Sequence, residues 1–208
     1  GHVGESWSNF VPKPPPIGPV LLDAESTAYP APFEFKYRVK GDEGWVDKKT
    51  KAQERWVVML NGGYDRSYIR GRGVAMVDVW TGRTLWDAFY TPNATDLRSK
   101  LDYPIPAGVS MFDIGSGEPM TSTGEFFDNS FDTATFGDMG GNLWVARFFV
   151  PGIVDSSTGK VANWPIARAF QTEKAAGAVD TNRRPITYIA SGTMQASNGY
   201  VRSYFGTG

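Results

Sequence analysis

The chain has no cysteine among its 208 residues, which excludes disulfides, thiolate nucleophiles and cysteine-based metal sites. Its single histidine, His2, sits at the extreme terminus, where it cannot complete a Ser-His-Asp triad or a facial metal site. Charge of either sign is not in excess. The net charge of -1 comes from 21 basic and 22 acidic residues, and these are interspersed, so nucleic acid and anionic lipid find no electrostatic footprint. No apolar run approaches the roughly 18 residues that a membrane span needs. There is no signal peptide, and the opening GHVGESWSNF is not an initiator sequence, so the expectation is that processing or truncation has removed what came before. Helical periodicity is confined to short polar windows.

What is abundant are turn residues and flat side chains: 24 Gly, 14 Pro, 7 Trp, 9 Tyr and 13 Phe. That composition points to many short strands. The length suits one large all-β domain or two small ones. The stretch from Trp56 to Phe89 reads as most of a β-meander. Val57, Val58, Met59 and Leu60 form an uninterrupted apolar run, which predicts a strand covered on both faces. Asn61-Gly62-Gly63 ends it. The chain resumes at Val74 to Val79, turns at Thr81-Gly82 and leaves through Leu85, Trp86 and Phe89. A short turn of this kind needs glycine at positive φ, and Asp78 just ahead of it can accept from the turn's backbone N–H groups.

Before this stretch, Trp7 and Phe10 precede PKPPPIGP, a proline-rich run that is extended and donates few backbone hydrogen bonds; a spacer is favoured over an SH3-type ligand. From Pro32 to Trp45 the pattern alternates, with Phe33, Phe35, Tyr37 and Val39 on one face and Glu34, Lys36, Arg38 and Lys40 on the other. This predicts a half-exposed antiparallel strand with charges guarding a sheet edge. VDKKTKAQER then reads as a bridge to the central stretch. After Phe89, Ala94 to Leu101 can form one or two helical turns with Asp96 near their start, VSMFDIG resumes a strand, and Ser116 to Asn129 is a polar loop.

The central unit then echoes. TATFGDMGGNLWVARFFV places Gly137, Gly140 and Gly141 where Gly62 and Gly63 stood, followed by a strand with Leu143, Trp144, Ala146 and Phe148. Asp155 to Lys160 repeats Asp78 to Arg83 as D-x-x-T-G-[KR], with Thr158 and Gly159 matching Thr81 and Gly82. Val201 to Gly208 corresponds to Val57 to Gly63. Repetition of an antiparallel multi-strand unit, each with a glycine corner and an aromatic after the turn, predicts an all-β protein with the architecture of a β-propeller. A single blade cannot bury its own faces and must stack on neighbours. At roughly 40 to 50 residues per blade the chain holds about three to four, and reads as one piece of a larger ring. The expected division takes 1–12 as the end of a preceding blade, 13–31 as connector, 32–115 and 116–170 as two blade regions, and 171–208 as the start of a further blade. The remainder of the ring, or a second chain, would complete it.

At D-x-x-T-G-x-x-x-W, Asp78 through Trp86, the chain is similar to the repeat of quinoprotein-like propellers. With GESWSNFVP, DNSFDTATFGDMGGNLW and YVRSYFGTG, it resembles the C-terminal β-propeller of the PilY family, the tip-associated proteins of type IV pili. Gly137 to Trp144, GD-x-GGN-x-W, is the most specific of these segments. The resemblance implies a protein exported through the periplasm to the cell surface or pilus tip. Its implied work is pilus assembly, adhesion or surface sensing, with minor pilins and a host or abiotic surface as partners and no enzymatic turnover. It also implies a calcium loop ahead of Gly137, where oxygen-rich spacing suits a hard cation with 6 to 8 ligands. Here that loop is degraded. Asp128 and Asp132 fall on its last two acidic positions, Asn129 replaces the turn glycine, and Gly124-Glu125-Phe126 has lost the acidic spacing. Glu125, Asp128 and Asp132 are thus the candidate Ca2+ ligands, set against the alternative that the two aspartates cap turns.

Asp113, Asp138 and Asp155 could be imagined as a glycosidase pair, but Asp138 and Asp155 occur in repeated turn contexts, where bonding to backbone is their expected task. NGGYDRSYIRGRG lacks G-K-[ST] and is no P-loop. Its Arg66, Arg70 and Arg72 are expected to face solvent, in a loop where a partner could bind. Trp56, Trp86 and Trp144 at strand ends are expected to pack between blades rather than to stack on carbohydrate. The enzyme alternative is a periplasmic dehydrogenase with a quinone cofactor; a structural accessory subunit of an extracellular filament is the other alternative.

Overall fold

A computed structural model describes residue 4 and residues 15–24, 31–114, 129–172, 184–195 and 200–207. It is built from antiparallel strands in three sheets. The first contains β1 (Ile17–Asp23), β2 (Phe33–Gly41), β3 (Gly44–Asn61), β4 (Gly73–Asp78) and β5 (Thr84–Phe89). The order is β1-β3-β4-β5, and β2 also pairs with β3. The second is a four-stranded meander of β6 (Ser110–Phe112), β7 (Thr133–Gly137), β8 (Asn142–Arg147) and β9 (Ile166–Gln171). The third is the pair β10 (Ser191–Gln195) and β11 (Tyr200–Tyr204). Between β5 and β6 lies a single 3-10 turn, Leu97–Lys100, capped by Asp96, whose side chain accepts from the Arg98 N–H. Among the described residues no helix is long and apolar enough to cross a membrane.

Period-two alternation decides how these sheets meet. Val20, Leu22, Val57, Met59, Val74, Met76, Trp86 and Ala88 line one face of the first sheet. They share a single buried cluster with Met111, Ala134, Phe136, Trp144 and Ala146 of the second. The opposite face of the second sheet contributes Leu143 to another cluster with Ile186, Ala190 and Phe205, beside the third. The sheets are therefore stacked face to face, and the middle one is covered twice. Every residue of β7 is buried, as a strand between two neighbours requires.

The seam between the first two sheets is aromatic. Trp86 meets Phe148 edge-on at 5.3 Å between ring centroids, and Phe148 meets Trp164 at 4.9 Å. The Trp86 indole N–H donates to the Trp164 carbonyl at 3.1 Å, so its polar edge is satisfied inside the seam.

The expected all-β fold of antiparallel sheets is present, and among the described residues the three sheets do not form a closed ring. Other expectations change. The segment 46–55, expected to be a bridge, is the first part of β3, an 18-residue strand. It pairs with β2 over residues 44–52 and with β1 over 52–58. Its alternating charges lie where the hairpin arm is solvated, a pattern that resembles a loop when the partner strand is not known. Ile17–Asp23, within the expected connector, is strand β1. Among the described residues the Val57 to Leu60 run is covered on one face: Val57 and Met59 are buried while Leu60 is 39% exposed. Trp56 does not pack between sheets. It is 46% exposed, because its register opposite Pro19 places it on the outer face of the first sheet.

Phe136→Ala should cost about 3 to 5 kcal/mol in urea unfolding, the range for a large aromatic truncated in a core. Trp56→Ala should cost less than about 1 kcal/mol, as for a half-exposed side chain. Equal losses would mean that Trp56 is packed in the interior.

Candidate functional site

The two D-x-x-T-G copies build the same turn. In the first, Asp78 Oδ1 accepts from the N–H groups of Trp80 and Thr81 at 2.8 and 3.0 Å, and Arg83 N–H donates to Thr81 Oγ1 at 3.3 Å. In the second, Asp155 Oδ1 accepts from Ser157 and Thr158 N–H at 2.7 and 3.1 Å, and Lys160 N–H donates to Thr158 Oγ1 at 3.3 Å. Gly82 and Gly159 hold φ of 69° and 68°, the left-handed region that favours glycine. Each glycine N–H donates to the carbonyl of its own aspartate. The expected turn role of Asp78 and Asp155 is thus realised. The second copy, however, lies in the connection between β8 and β9 and docks on the first sheet. Val161 N–H donates to the Leu85 carbonyl at 2.8 Å, and Lys160 pairs with Asp87.

The GD-x-GGN-x-W run is a buried carboxylate knot. Asp138 is 0% exposed, and its two oxygens accept from Gly140 N–H, Asn142 N–H, the Asn142 amide and the Trp144 indole, all at 2.8 to 3.0 Å. Burial pushes its carboxyl above the usual carboxylate range, opposed first by the Trp144 N–H and then by Asn142 and Gly140. Its backbone carbonyl accepts from Ile186 N–H at 3.0 Å, which ties the second sheet to the segment leading into the third. Close packing explains two glycines here: a Cβ on Gly137 would come within 2.2 Å of the Ile186 side chain, and one on Gly140 within 2.2 Å of the Tyr103 ring. Asp138 thus ties its own turn together through both oxygens.

Asp132 differs. It is 7% exposed, Oδ2 accepts from Ile114 N–H at 3.1 Å, and Oδ1 is buried without a hydrogen-bond partner. Burial pushes its carboxyl up to about 7, with Arg147 pulling it down and Asp113 pushing it further up. Asp113 Oδ2 accepts from Asn129 N–H at 2.9 Å. Of the candidate calcium ligands, Glu125 and Asp128 lie outside the described residues. Among the described residues no group of three or more carboxylates or histidines is placed to hold a metal. The expected calcium loop therefore lies largely outside the described residues, with Asp132 and Asp113 its described carboxylates.

An exposed loop available for contact is the excursion between β3 and β4, where 66–70 are exposed. Its root is a backbone clasp: Gly62 N–H donates to Gly73 O at 2.8 Å, Gly63 N–H to Ile105 O at 3.0 Å, and Ile105 N–H to Gly71 O at 2.9 Å. Gly71, at φ 74°, leaves no room for a side chain, since a Cβ would stand 2.2 Å from Gly63 O. The tip is organised by Asp65, which no motif singled out although D-x-S is a turn-forming pattern. Asp65 accepts from Ser67 Oγ, Ile69 N–H and Arg70 N–H at 2.8 to 2.9 Å. Led by the Arg70 bond, these hold its carboxyl down to about 2. Tyr68 is held at φ 57° with its ring edge-on to Tyr103 at 5.8 Å. Arg66 and Arg70 are exposed, as expected. Arg72 is not: it is half-buried with its guanidinium 3.7 Å from the Tyr90 ring centre, a cation–π contact. Ile69, 69% exposed, completes a small preformed surface of two cations and one apolar side chain.

No family model matches the chain, and no curated protein matches it. Among solved structures it is similar to the crystal structure of the Pseudomonas aeruginosa PilY1 C-terminal domain, with a TM-score of 0.39 and 18% identity. The similarity covers 89% of this chain and 34% of that one, so the chain spans about a third of its length.

Because the Asp132 carboxyl sits near 7 when folded and at 3.8 otherwise, the folded state binds the extra proton. Stability is therefore full below about pH 4 and declines as pH rises towards 7, by at most about 4 kcal/mol. Asp132→Asn should raise the Tm at pH 8 and flatten much of the slope between pH 4 and 7 in thermal melts. An unchanged slope would show that Asp132 is not buried as described.

Proposed function

We propose that the protein is a non-enzymatic surface protein of the type IV pilus tip, acting in pilus assembly, adhesion or surface sensing through the loops of its stacked sheets. The observation that carries this reading is the run Gly137 to Trp144, whose resemblance to the PilY propellers is the most specific in the chain, with GESWSNFVP and YVRSYFGTG beside it. The carboxylates support a role without turnover. Asp138 accepts through both oxygens, and Asp78 and Asp155 through Oδ1, from groups of their own turns, a structural use of each carboxylate. The contact surface in this reading is the Arg66 to Arg70 loop. It is clasped at its root and pinned by Asp65, so little ordering entropy is lost when it binds.

Cells in which Arg66 and Arg70 are both replaced by glutamate should still assemble pili and should attach to anionic surfaces at least about tenfold less well, as reversal of steering charges implies. Normal piliation and attachment after deletion of the whole gene would overturn the reading. So would reduction of a redox dye by the purified protein with alcohols or sugars, which would favour the quinone-linked dehydrogenase.

A further inference from the structure

Strand β2 leaves the body of the first sheet. It pairs with β3 alone, over residues 44–52 of that strand, and the two form an arm joined at its tip by Asp42 and Glu43. One side of the arm is anchored. Phe35 and Ala52 are buried there with Leu21, Tyr37 stacks on Phe35 at 5.9 Å between ring centroids, and Thr50 Oγ1 donates to Asp23 Oδ1 at 2.8 Å. The other side is a row of cations. Alternation puts Lys49, Lys51 and Gln53 of β3 on that face, and the register sets Lys36 opposite Lys49 and Glu34 opposite Lys51. The same alternation adds Arg38 and Lys40 on β2 and Asp47 on β3, so the row holds five cations (Lys36, Arg38, Lys40, Lys49, Lys51) against two carboxylates (Glu34, Asp47). Along the chain Glu54 balances this run as well, but its register opposite Leu21 moves it to the anchored face.

The row breaks local rules of strand pairing. Lys36 and Lys49 are both exposed and directly opposed, and like charges in that position destabilise a strand pair. Glu34 lies 3.6 Å from Lys49, while among the described residues Lys36 and Lys51 have no ion pair. At the inner end of the row Gln53 is 4% exposed. Its Oε1 accepts from Arg55 at 3.5 Å, and its Nε2 has no acceptor. Donors therefore outnumber acceptors along the whole row, in a place where the strand pair itself gains nothing from the excess. Local conflict of this kind marks functional sites.

We infer that this row, centred on Lys36, Lys49 and Lys51, is a docking surface for an extended acidic segment of a partner protein, one that carries carboxylates at alternate positions. Alternate side chains of an extended segment repeat at about 6.8 Å, which is also the repeat of Lys49 and Lys51 along β3, so successive carboxylates meet successive ammonium groups. The excess of cations is confined to a strip two strands wide, while the chain as a whole carries a net charge of -1. A long phosphate polyanion or a charged bilayer gains from positive charge spread over a whole face, whereas a single acidic strand needs only the strip. The inference goes beyond the pilus reading and uses none of the residues of the Arg66 to Arg70 loop.

The test is a titration of a fluorescent Thr-Glu repeat peptide, extended and acidic on one face, into the purified protein, read by anisotropy. A Thr-Gln repeat, a single-stranded oligonucleotide and vesicles of phosphatidylglycerol are titrated beside it. The Thr-Glu peptide should bind, and at least about tenfold more weakly as salt rises from about 0.01 to 0.15 M, since exposed ion pairs are screened. Lys36→Gln, Lys49→Gln and Lys51→Gln together should weaken it at least about tenfold without lowering the Tm, because the opposed lysines are removed. Lys36→Glu sets opposite charges across the pair, which strengthens the arm, and should weaken the peptide too. Arg83→Gln with Lys100→Gln, both exposed elsewhere, should leave binding unchanged. Equal binding of the Thr-Gln peptide, or unchanged affinity in the Lys36→Glu and triple variants, would overturn the inference. Tighter binding of the oligonucleotide or the vesicles would also overturn it, by giving the row to another polyanion. Each of these outcomes leaves the attachment experiment on Arg66 and Arg70 untouched.

Discussion

A β-sheet with apolar side chains on both faces must be covered twice, and most of this structure follows from that constraint. The second sheet satisfies it completely, with β7 buried along its whole length. Covering it takes one sheet on each side, so the chain folds as a stack in which non-local contacts dominate. The aromatic seam of Trp86, Phe148 and Trp164 joins the first pair of sheets. The second D-x-x-T-G turn crosses back to that seam: Val161 and Lys160, carried between β8 and β9, dock on Leu85 and Asp87 of β5. A turn that looks like the end of one repeat is thus also a strap between two.

Polar groups are managed locally within this apolar frame. Asp138 is tolerable at full burial because Asn142, Gly140 and Trp144 supply donors to both of its oxygens within a short span of chain. Asp65 does the same at the surface, where it converts a loop into a preformed tip. Asp132 is the exception. Burial pushes its carboxyl up to about 7 against the hydrogen bonds of Thr133 and Ile114.

What was legible in the sequence was what a few adjacent residues decide. The Asp78 and Asp155 turns, the Asp96 cap and the alternation of Phe33 to Tyr37 each depend on contacts within one turn or one pleat, so pattern alone located them. What was not legible depends on a partner strand. Lys48 to Glu54 carry charges whether they form a loop or a solvated hairpin arm, and only the register with β2 decides. Trp56 was misplaced for a related reason: a shift of one residue in register moves a side chain to the opposite face, and nothing local fixes that phase. Phe148 and Trp164 carry no motif, so their meeting with Trp86 had no sequence signal beyond being aromatic. The candidate calcium positions divide differently, since Glu125 and Asp128 fall outside the described residues and Asp132 proves to be a buried acid beside Asp113.

The central claim is that the first and second sheets are packed face to face through Trp86 and Phe148. A double-mutant cycle between Trp86→Leu and Phe148→Leu, read by urea unfolding, tests it most directly. The account predicts a coupling of about 0.5 to 1.5 kcal/mol, the value for an aromatic pair in contact. Losses that add with no coupling would contradict the stacked arrangement.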